Sequence, residues 1–370
     1  MQRRTFLQTG LAATLAGTLL SRNLQAALKQ DKLDAAAAIL QKATSSGQVT
    51  AAVLHVQQDL KTHTHVFGSA ADENAMFLLG SISKPICMTA LMTLYDKGTF
   101  KLDDPVCRFI PAYTGGGRDA VTIQHLLTHT SGLPDQLAEN AALRKAHAPL
   151  SEFIVKTIGT PLAFTPGTKY QYSSMAILLA SRIAEIIGGT DIRTLVDKTV
   201  FQPLGMKHSA QGLGKFKQEE LVTVQTQIAA PESGGGDPSA KDWDWNSPYW
   251  RALGAPWGGT HCSAPDIAKY LAEFLSEQGN CVKPETAKLM KTNRNPPGLK
   301  SRGLGLDVGA ESGSPGCSAD TFGHSGSTGT LCWADPATRT ICVVLTTLPR
   351  QAVKIHPRAL AAEQVAAAAL

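Results

Sequence analysis

Apolar positions along this chain change their period several times, and the changes divide it into elements. Leu11 to Leu20 is a modestly apolar run, far too short to cross a membrane as a permanent helix. Asp31 to Thr44 is alanine-rich with apolar residues at helical spacing, which predicts an amphipathic helix. Gln48 to Val56 and Thr62 to Phe67 are β-branched-rich runs split by Asp59-Leu60-Lys61, which predicts an antiparallel pair. Ala75 to Gly80 is short, apolar and closed by glycine, and from Lys84 to Tyr95 the spacing becomes helical. Helical patterns then dominate to about Glu285, at Ile123–His129, Ser151–Ile158, Ser173–Ile187, Ile192–Phe201 and Pro265–Leu275. Strand patterns return at Gly303–Val308, Leu331–Ala334 and Thr340–Thr347, before a last helix from Pro357. Strands at both ends and helices between them predict one sheet built from both termini, with a helical lobe inserted and a cleft where the two meet. The expected sheet lobe is residues 27–80 plus 300–370, and the helical lobe residues 81–299.

One stretch departs from this scheme. Gln211 to Pro256 contains Ser233-Gly234-Gly235-Gly236-Asp237-Pro238, and with the residue just beyond it gathers Trp243, Trp245, Tyr249, Trp250 and Trp257. Glycine and proline at this density mark a long loop, and long loops in compact domains commonly serve function. We read 211–256 as a wall or lid of the cleft.

The chain opens with Gln2-Arg3-Arg4-Thr5-Phe6-Leu7, followed by the apolar run and by small residues ending near Ala26-Ala27. That is a signal-peptide layout over residues 1–26, with the paired arginines of the twin-arginine route, and it predicts export to the periplasm. A Sec signal whose arginines merely supply charge is the alternative. Removing the leader takes Arg3, Arg4 and Arg22 with it. The net charge falls from +5 (35 basic against 30 acidic side chains) to +2 (32 against 30). Nothing in that balance points to nucleic acid or an anionic membrane surface. The seven cysteines form no C-x-x-C pair, so neither a zinc site nor a redox motif is expected. Export would permit a disulfide, for instance Cys281 with Cys317.

The candidate chemistry lies in Ser81-Ile82-Ser83-Lys84, where the apolar strand gives way to a helix. Residues three apart share a helix face, so the Lys84 amine can reach the Ser81 hydroxyl. A serine is a nucleophile at neutral pH only if a base takes its proton, and a lysine serves when desolvation or a nearby cation lowers its pKa. Such a hydrolase also needs a proton relay to the leaving group and an oxyanion donor. Tyr172, just before the helix from Ser173, is the candidate relay, with Tyr170 as competitor. Gly323-His324-Ser325-Gly326-Ser327-Thr328-Gly329 is the candidate docking strand, where Gly326 would let a substrate approach the backbone closely. His125 and His129 are four apart on a helix, but without a glutamate between them they make a poor metal motif. No G-x-S-x-G elbow is present, which argues against an α/β-hydrolase.

With these elements in order, the chain resembles the serine β-lactamase and penicillin-binding-protein superfamily, in particular the class C β-lactamase-like group that includes esterases and D-stereospecific peptidases. The resemblance is carried by Ser81-Ile82-Ser83-Lys84, by Ile123-Gln124-His125-Leu126-Leu127-Thr128-His129-Thr130-Ser131-Gly132-Leu133-Pro134, and by Phe201-Gln202-Pro203-Leu204-Gly205-Met206. It continues in Gly258-Gly259-Thr260 before Ala264-Pro265-Asp266-Ile267-Ala268 and ends in Phe322-Gly323-His324-Ser325-Gly326. It implies an α/β (α+β) fold of the β-lactamase/transpeptidase type over residues 27–370. It also implies Ser81 as acylated nucleophile, Lys84 as proton acceptor, Tyr172 as relay, and the Ser81 and Ser327 amides as oxyanion hole. His324-Ser325-Gly326 takes the place of the family's Lys-Thr-Gly.

Two departures bear on substrate. Ser174 stands where the family usually has asparagine, and its shorter hydroxyl cannot donate and accept in the same geometry. His324 replaces a permanent cation with a side chain mostly neutral near pH 7. Both weaken the case for β-lactam hydrolysis and leave ester or peptide-like amide cleavage open. The expected reading is therefore an exported serine hydrolase for a small-molecule or peptide-like substrate, without cofactor, metal or nucleic-acid partner. Alternatives are a class C β-lactamase, a D-alanyl-D-alanine carboxypeptidase, or a catalytically idle binder of cell-wall peptides.

Overall fold

The computed structural model describes residues 27–370, so residues 1–26, read above as an export leader, lie outside the described residues. Nine strands are present among them: β1 (Ala51–Gln58), β2 (Lys61–Gly68), β3 (Phe77–Leu78), β4 (Ser209–Gln211), β5 (Thr260–Cys262), β6 (Asp307–Val308), β7 (Phe322–Gly326), β8 (Thr330–Asp335) and β9 (Thr340–Thr346). Six form an antiparallel sheet in the order β2-β1-β9-β8-β7-β6, built from the two ends of the chain as the apolar pattern requires. Gln58 opposite Lys61 leaves a two-residue turn, and Asp59 takes φ 53° there, the left-handed geometry that matches the twist of a hairpin.

Side chains alternate across a strand, and here both faces are buried. Ala51 and Val53 of β1 join Ile341, Val343 and Leu345 of β9 in the core shared with the helical region. Ala52, Leu54 and Val56 join Cys342 and Val344 on the other face. That face is covered by the helices Gln30–Ser45 and Pro357–Ala369, which bury Leu33, Ala36, Leu40 and Ala43 against Ala361, Ala362 and Val365. Alanines on both helices let them lie close to each other and to the sheet.

Several expectations need correction. The apolar segment before Ser81 does not join the main sheet. Its β3 pairs with β5, and β5 with β4, in a separate three-stranded sheet. The run Gly303–Val308 supplies only the two residues of β6, because Arg302 and Gly305 are used for turns and buried contacts. Residues 211–256 are not open loop. They fold into short 3₁₀ turns and the helix Pro248–Leu253, with Trp243, Trp245 and Trp250 buried. All seven cysteines are free thiols. Cys281 packs on the core beside the helical region and Cys317 on the opposite face of the sheet, so the pairing that export would allow does not form. No helix among the described residues is long and apolar enough to cross a membrane.

Candidate active site

The nucleophile candidate is positioned by backbone geometry. Ser81 sits in a 3₁₀ turn, Gly80–Ile82, that runs directly into the helix Ser83–Tyr95. Gly80 has φ 58°, and a Cβ there would stand 3.1 Å from the Ser327 amide nitrogen. A side chain would therefore press on the donor expected to hold an oxyanion. The turn between β7 and β8 is strapped to β3: the hydroxyls of Thr328 and Thr330 donate to the carbonyls of Leu78 and Leu79, each at 2.6 Å. These bonds fix Ser327 beside Ser81, and both residues line one cleft of about 230 Å³ with Lys84, Tyr172 and Ser174.

Gly326 plays a different part from the one expected. A Cβ at 326 would lie 2.0 Å from the Leu79 carbonyl oxygen, so the close approach is made by the chain's own β3 segment. We expect Gly326→Ala to cost roughly 1–3 kcal/mol of overpacking and to displace Ser327. Thermal denaturation should show a melting temperature several degrees lower, with ester hydrolysis falling further than stability; a wild-type melt would contradict this packing.

Lys84 is 1% exposed. Its Nζ lies 2.9 Å from Ser81 Oγ and donates to the Trp257 carbonyl at 3.0 Å. Burial pushes the amine from its ordinary 10.5 down to about 7. The Asp135 carboxylate opposes that shift, the Arg302 guanidinium adds to it, and Asp307 and Cys87 oppose it. Desolvation wins because an ammonium loses water on every side and gains only two short contacts.

Tyr172 completes the group. Its phenol hydrogen-bonds the Ser81 hydroxyl, and burial pushes its pKa up, so the phenol keeps its proton until a strong base appears. Lys84 Nζ lies 4.7 Å from the centre of its ring, and the His129 ring centre lies 4.5 Å away. The histidine-containing block from Ile123 is what holds Tyr172. The His129 carbonyl accepts from Gln171 N at 2.9 Å, His129 Nδ1 from Ser173 N at 3.2 Å, and the Pro134 carbonyl from Ser173 Oγ at 2.7 Å. Ser173 also caps the following helix, Ser174–Gly188. Tyr170 contacts His129 edge-on at 6.1 Å and lies outside the cleft around Ser81.

The remaining expected residues behave unevenly. Ser174 lines the cleft, but its hydroxyl and amide both donate to Asp135 Oδ1, at 2.6 and 2.9 Å. His324 is 4% exposed, and both ring nitrogens are engaged: Nδ1 with the Ser325 carbonyl at 2.8 Å and Nε2 with Arg302 Nη2 at 3.0 Å. It offers a substrate no ring nitrogen. Burial pushes its pKa down to about 4. Ser325 is exposed and lines a separate groove with Lys300, Asp307 and Glu311, outside the cleft around Ser81. Asp135, Arg302 and the Trp257 carbonyl were not legible as site residues. Trp257 belongs to the aromatic group of the expected cleft wall, just before the Gly258-Gly259-Thr260 block, but its carbonyl carried no cue. Among the described residues no cluster of His, Cys, Asp or Glu could hold a metal ion.

An amine that burial brings close to neutrality beside a serine hydroxyl, with a phenol on the other side and backbone amides at the turn, is the constellation of an acyl-transfer hydrolase. The family model described as "Beta-lactamase" matches residues 31–367. The chain belongs to this β-lactamase family, a family of serine hydrolases. It is 35% identical to Esterase EstB of Burkholderia gladioli over 155 residues, which cover 38% of this chain and 39% of the esterase. It is 26% identical over 324 residues to a protein of Salmonella typhi assigned as a D-alanyl-D-alanine carboxypeptidase, covering 78% of this chain and 73% of that protein. The crystal structure of a penicillin-binding-protein homologue from Caulobacter crescentus superposes with a TM-score of 0.75 at 19% identity, covering 93% of this chain and 99% of that one, and so shares the fold.

Proposed function

We propose that the protein is an exported serine hydrolase that cleaves esters or peptide-like amides lacking a carboxylate beside the scissile carbonyl. The observation that carries this reading is the buried Lys84 amine 2.9 Å from Ser81 Oγ. In the proposed sequence Ser81 Oγ attacks the carbonyl carbon as Lys84 Nζ takes its proton. The amides of Ser81 and Ser327 receive the developing oxyanion. As the tetrahedral adduct collapses, the Tyr172 phenol gives its proton to the departing alcohol or amine and recovers one through Lys84. Water, deprotonated by the same pair, then attacks the acyl carbonyl and restores Ser81.

Charge in the cleft supports the choice of substrate. β-Lactams and peptides ending in a free C-terminus carry a carboxylate close to the reacting bond. The docking strand offers it no cation, because His324 is neutral and fully engaged. Arg144 reaches the cleft, but its guanidinium donates to the carbonyls of Glu232 and Trp243 and stacks on Trp250. Asp135, exposed at the rim, adds a negative charge. Trp245, Trp250 and Trp257 on the opposite wall suit an apolar acyl group. The partial match to an esterase agrees with this preference, and the paired arginines of the leader support export.

Steady-state turnover of p-nitrophenyl butyrate and of nitrocefin by the purified protein tests the reading. We expect kcat/KM for the ester to exceed that for nitrocefin by about 100-fold or more, the scale of a lost charge-assisted contact. The reverse ranking would make the protein a β-lactamase. No covalent adduct by mass spectrometry after exposure to a fluorophosphonate would leave only a binding role.

A further inference from the structure

Arg302 is the most completely buried cation of the fold, at 0% exposure, and no sequence motif draws notice to it. Its guanidinium is paired with Asp307. Nη2 donates to the Gly305 carbonyl at 2.9 Å and to His324 Nε2 at 3.0 Å. Its Cζ lies 5.6 Å from the centre of the Tyr172 ring. The backbone on both sides is tied as well: Arg302 N donates to Asn293 Oδ1 at 3.0 Å, and its carbonyl accepts from Arg294 N at 2.8 Å.

These contacts fix the state of His324. A carbonyl cannot donate, so Nδ1 facing the Ser325 carbonyl carries the ring proton. A guanidinium cannot accept, so Nε2 must offer its lone pair. Protonating Nε2 would set an N–H against a cation. A positive charge therefore stands behind the histidine, on the neighbouring segment, and not on the docking strand itself.

We propose that Arg302 is a positioning residue for acyl transfer, whose guanidinium, anchored by Asp307, locks the neutral tautomer of His324 and keeps a fixed positive charge near the Tyr172 ring and the Lys84 amine. This rests on the serine-hydrolase reading above. The anchor explains why a buried arginine is tolerated, since an unpaired charge at such depth is strongly disfavoured. Its function is electrostatic: the charge favours the free amine of Lys84 and stabilises a phenolate as Tyr172 gives up its proton. Other charged or titratable groups facing this point are Asp135 from the rim, Cys87 on the helix of Lys84, His129 and Tyr170 beside Tyr172, and Lys300, which lies 5.6 Å from the Tyr170 ring centre. None of these donates to His324.

The test is the pH dependence of kcat/KM for p-nitrophenyl butyrate in wild type, Arg302→Gln, Asp307→Asn and Arg302→Lys. Removing the cation should raise the pKa of the acid limb by about one unit, and removing the anion should lower it by a similar amount. In Arg302→Gln, kcat should fall about 10-fold with KM changed less than about 2-fold, because the affected groups meet the transition state. Arg302→Lys should return the limb towards its wild-type position while recovering only part of kcat, since an ammonium lacks the planar fork that serves Gly305 and His324 together. A merely structural arginine would give variants that shift the limb in one direction or not at all, and either result overturns the proposal. If Arg302→Gln or Asp307→Asn fails to fold, the Lys variant decides: an acid limb displaced by about a full unit or more although the charge is kept sinks the electrostatic role. Failure of the underlying reading is separable, because it would appear as wild-type ester hydrolysis that survives Ser81→Ala.

Discussion

Ser81→Ala is expected to lower kcat/KM for p-nitrophenyl butyrate by about 10⁴-fold or more, and to abolish covalent labelling by a fluorophosphonate. The size follows from how such sites work: nucleophile and base act as a unit, and losing either leaves only binding and oxyanion stabilisation. The variant should fold normally. Ser81 is half-buried, and its hydroxyl contacts only Lys84 and Tyr172, so no core packing is lost. Intact-mass spectrometry reads the result directly, as one adduct per wild-type chain and none per variant. An undiminished adduct on the alanine variant would assign the nucleophile to another residue and remove Ser81 from the mechanism.

The second large effect concerns Lys84 and has a definite sign. Burial disfavours the ammonium and brings the pKa to about 7. Only the free amine accepts a proton from Ser81, so kcat/KM should rise about tenfold per pH unit below that value and level off above it. Lys84→Arg should be nearly inactive across the whole range, with a loss of about 10³-fold, because a guanidinium does not deprotonate. Stability should also rise with pH, but in a higher window. Between about pH 7 and 10.5 the unfolded chain holds a proton on Lys84 that the native state does not, so stability contributed by this site rises with pH through that window and is lowest below it. Lys84→Met removes that penalty and should melt higher than wild type at pH 7 while being inactive, the trade expected of a functional site. A wild-type acid limb near pH 10 would show that the amine is not desolvated, and the proposed base would fail with it.

Much of this architecture was readable from local patterns. The β-branched-rich runs at 48–56 and 62–67, the strand patterns at 331–334 and 340–347, and the helical spacing at 84–95, 151–158, 173–187 and 265–275 all correspond to observed elements. Burial on both sheet faces leaves short apolar, β-branched runs, and burial of one helix face leaves a helical period; each of these segments is long enough to show its pattern. Ser81 and Lys84 were legible because three residues on a helix fix their proximity with no help from the rest of the chain. Short or irregular contributors were not. The strand β3, two residues long, pairs with β5 at residues 261 and 262, and nothing in Phe77-Leu78 says which sheet it joins. The buried tryptophans of 243–257 were visible as a group, but not as a packed wall.

The division at the site has the same cause. The sequence by itself determined the local pair, the start of the helix near Ser173, the absence of a cation at 324 and the exchange of asparagine for Ser174, since each is a property of one short segment. Only the tertiary structure decided that Gly326 makes room for the Leu79 carbonyl, that Asp135 occupies the Ser174 hydroxyl, and that Arg302 and Asp307 stand behind His324. Those relations join residues tens to hundreds of positions apart. They depend on which segments the closed core brings within 3 Å, a distance that hydrophobic period does not encode.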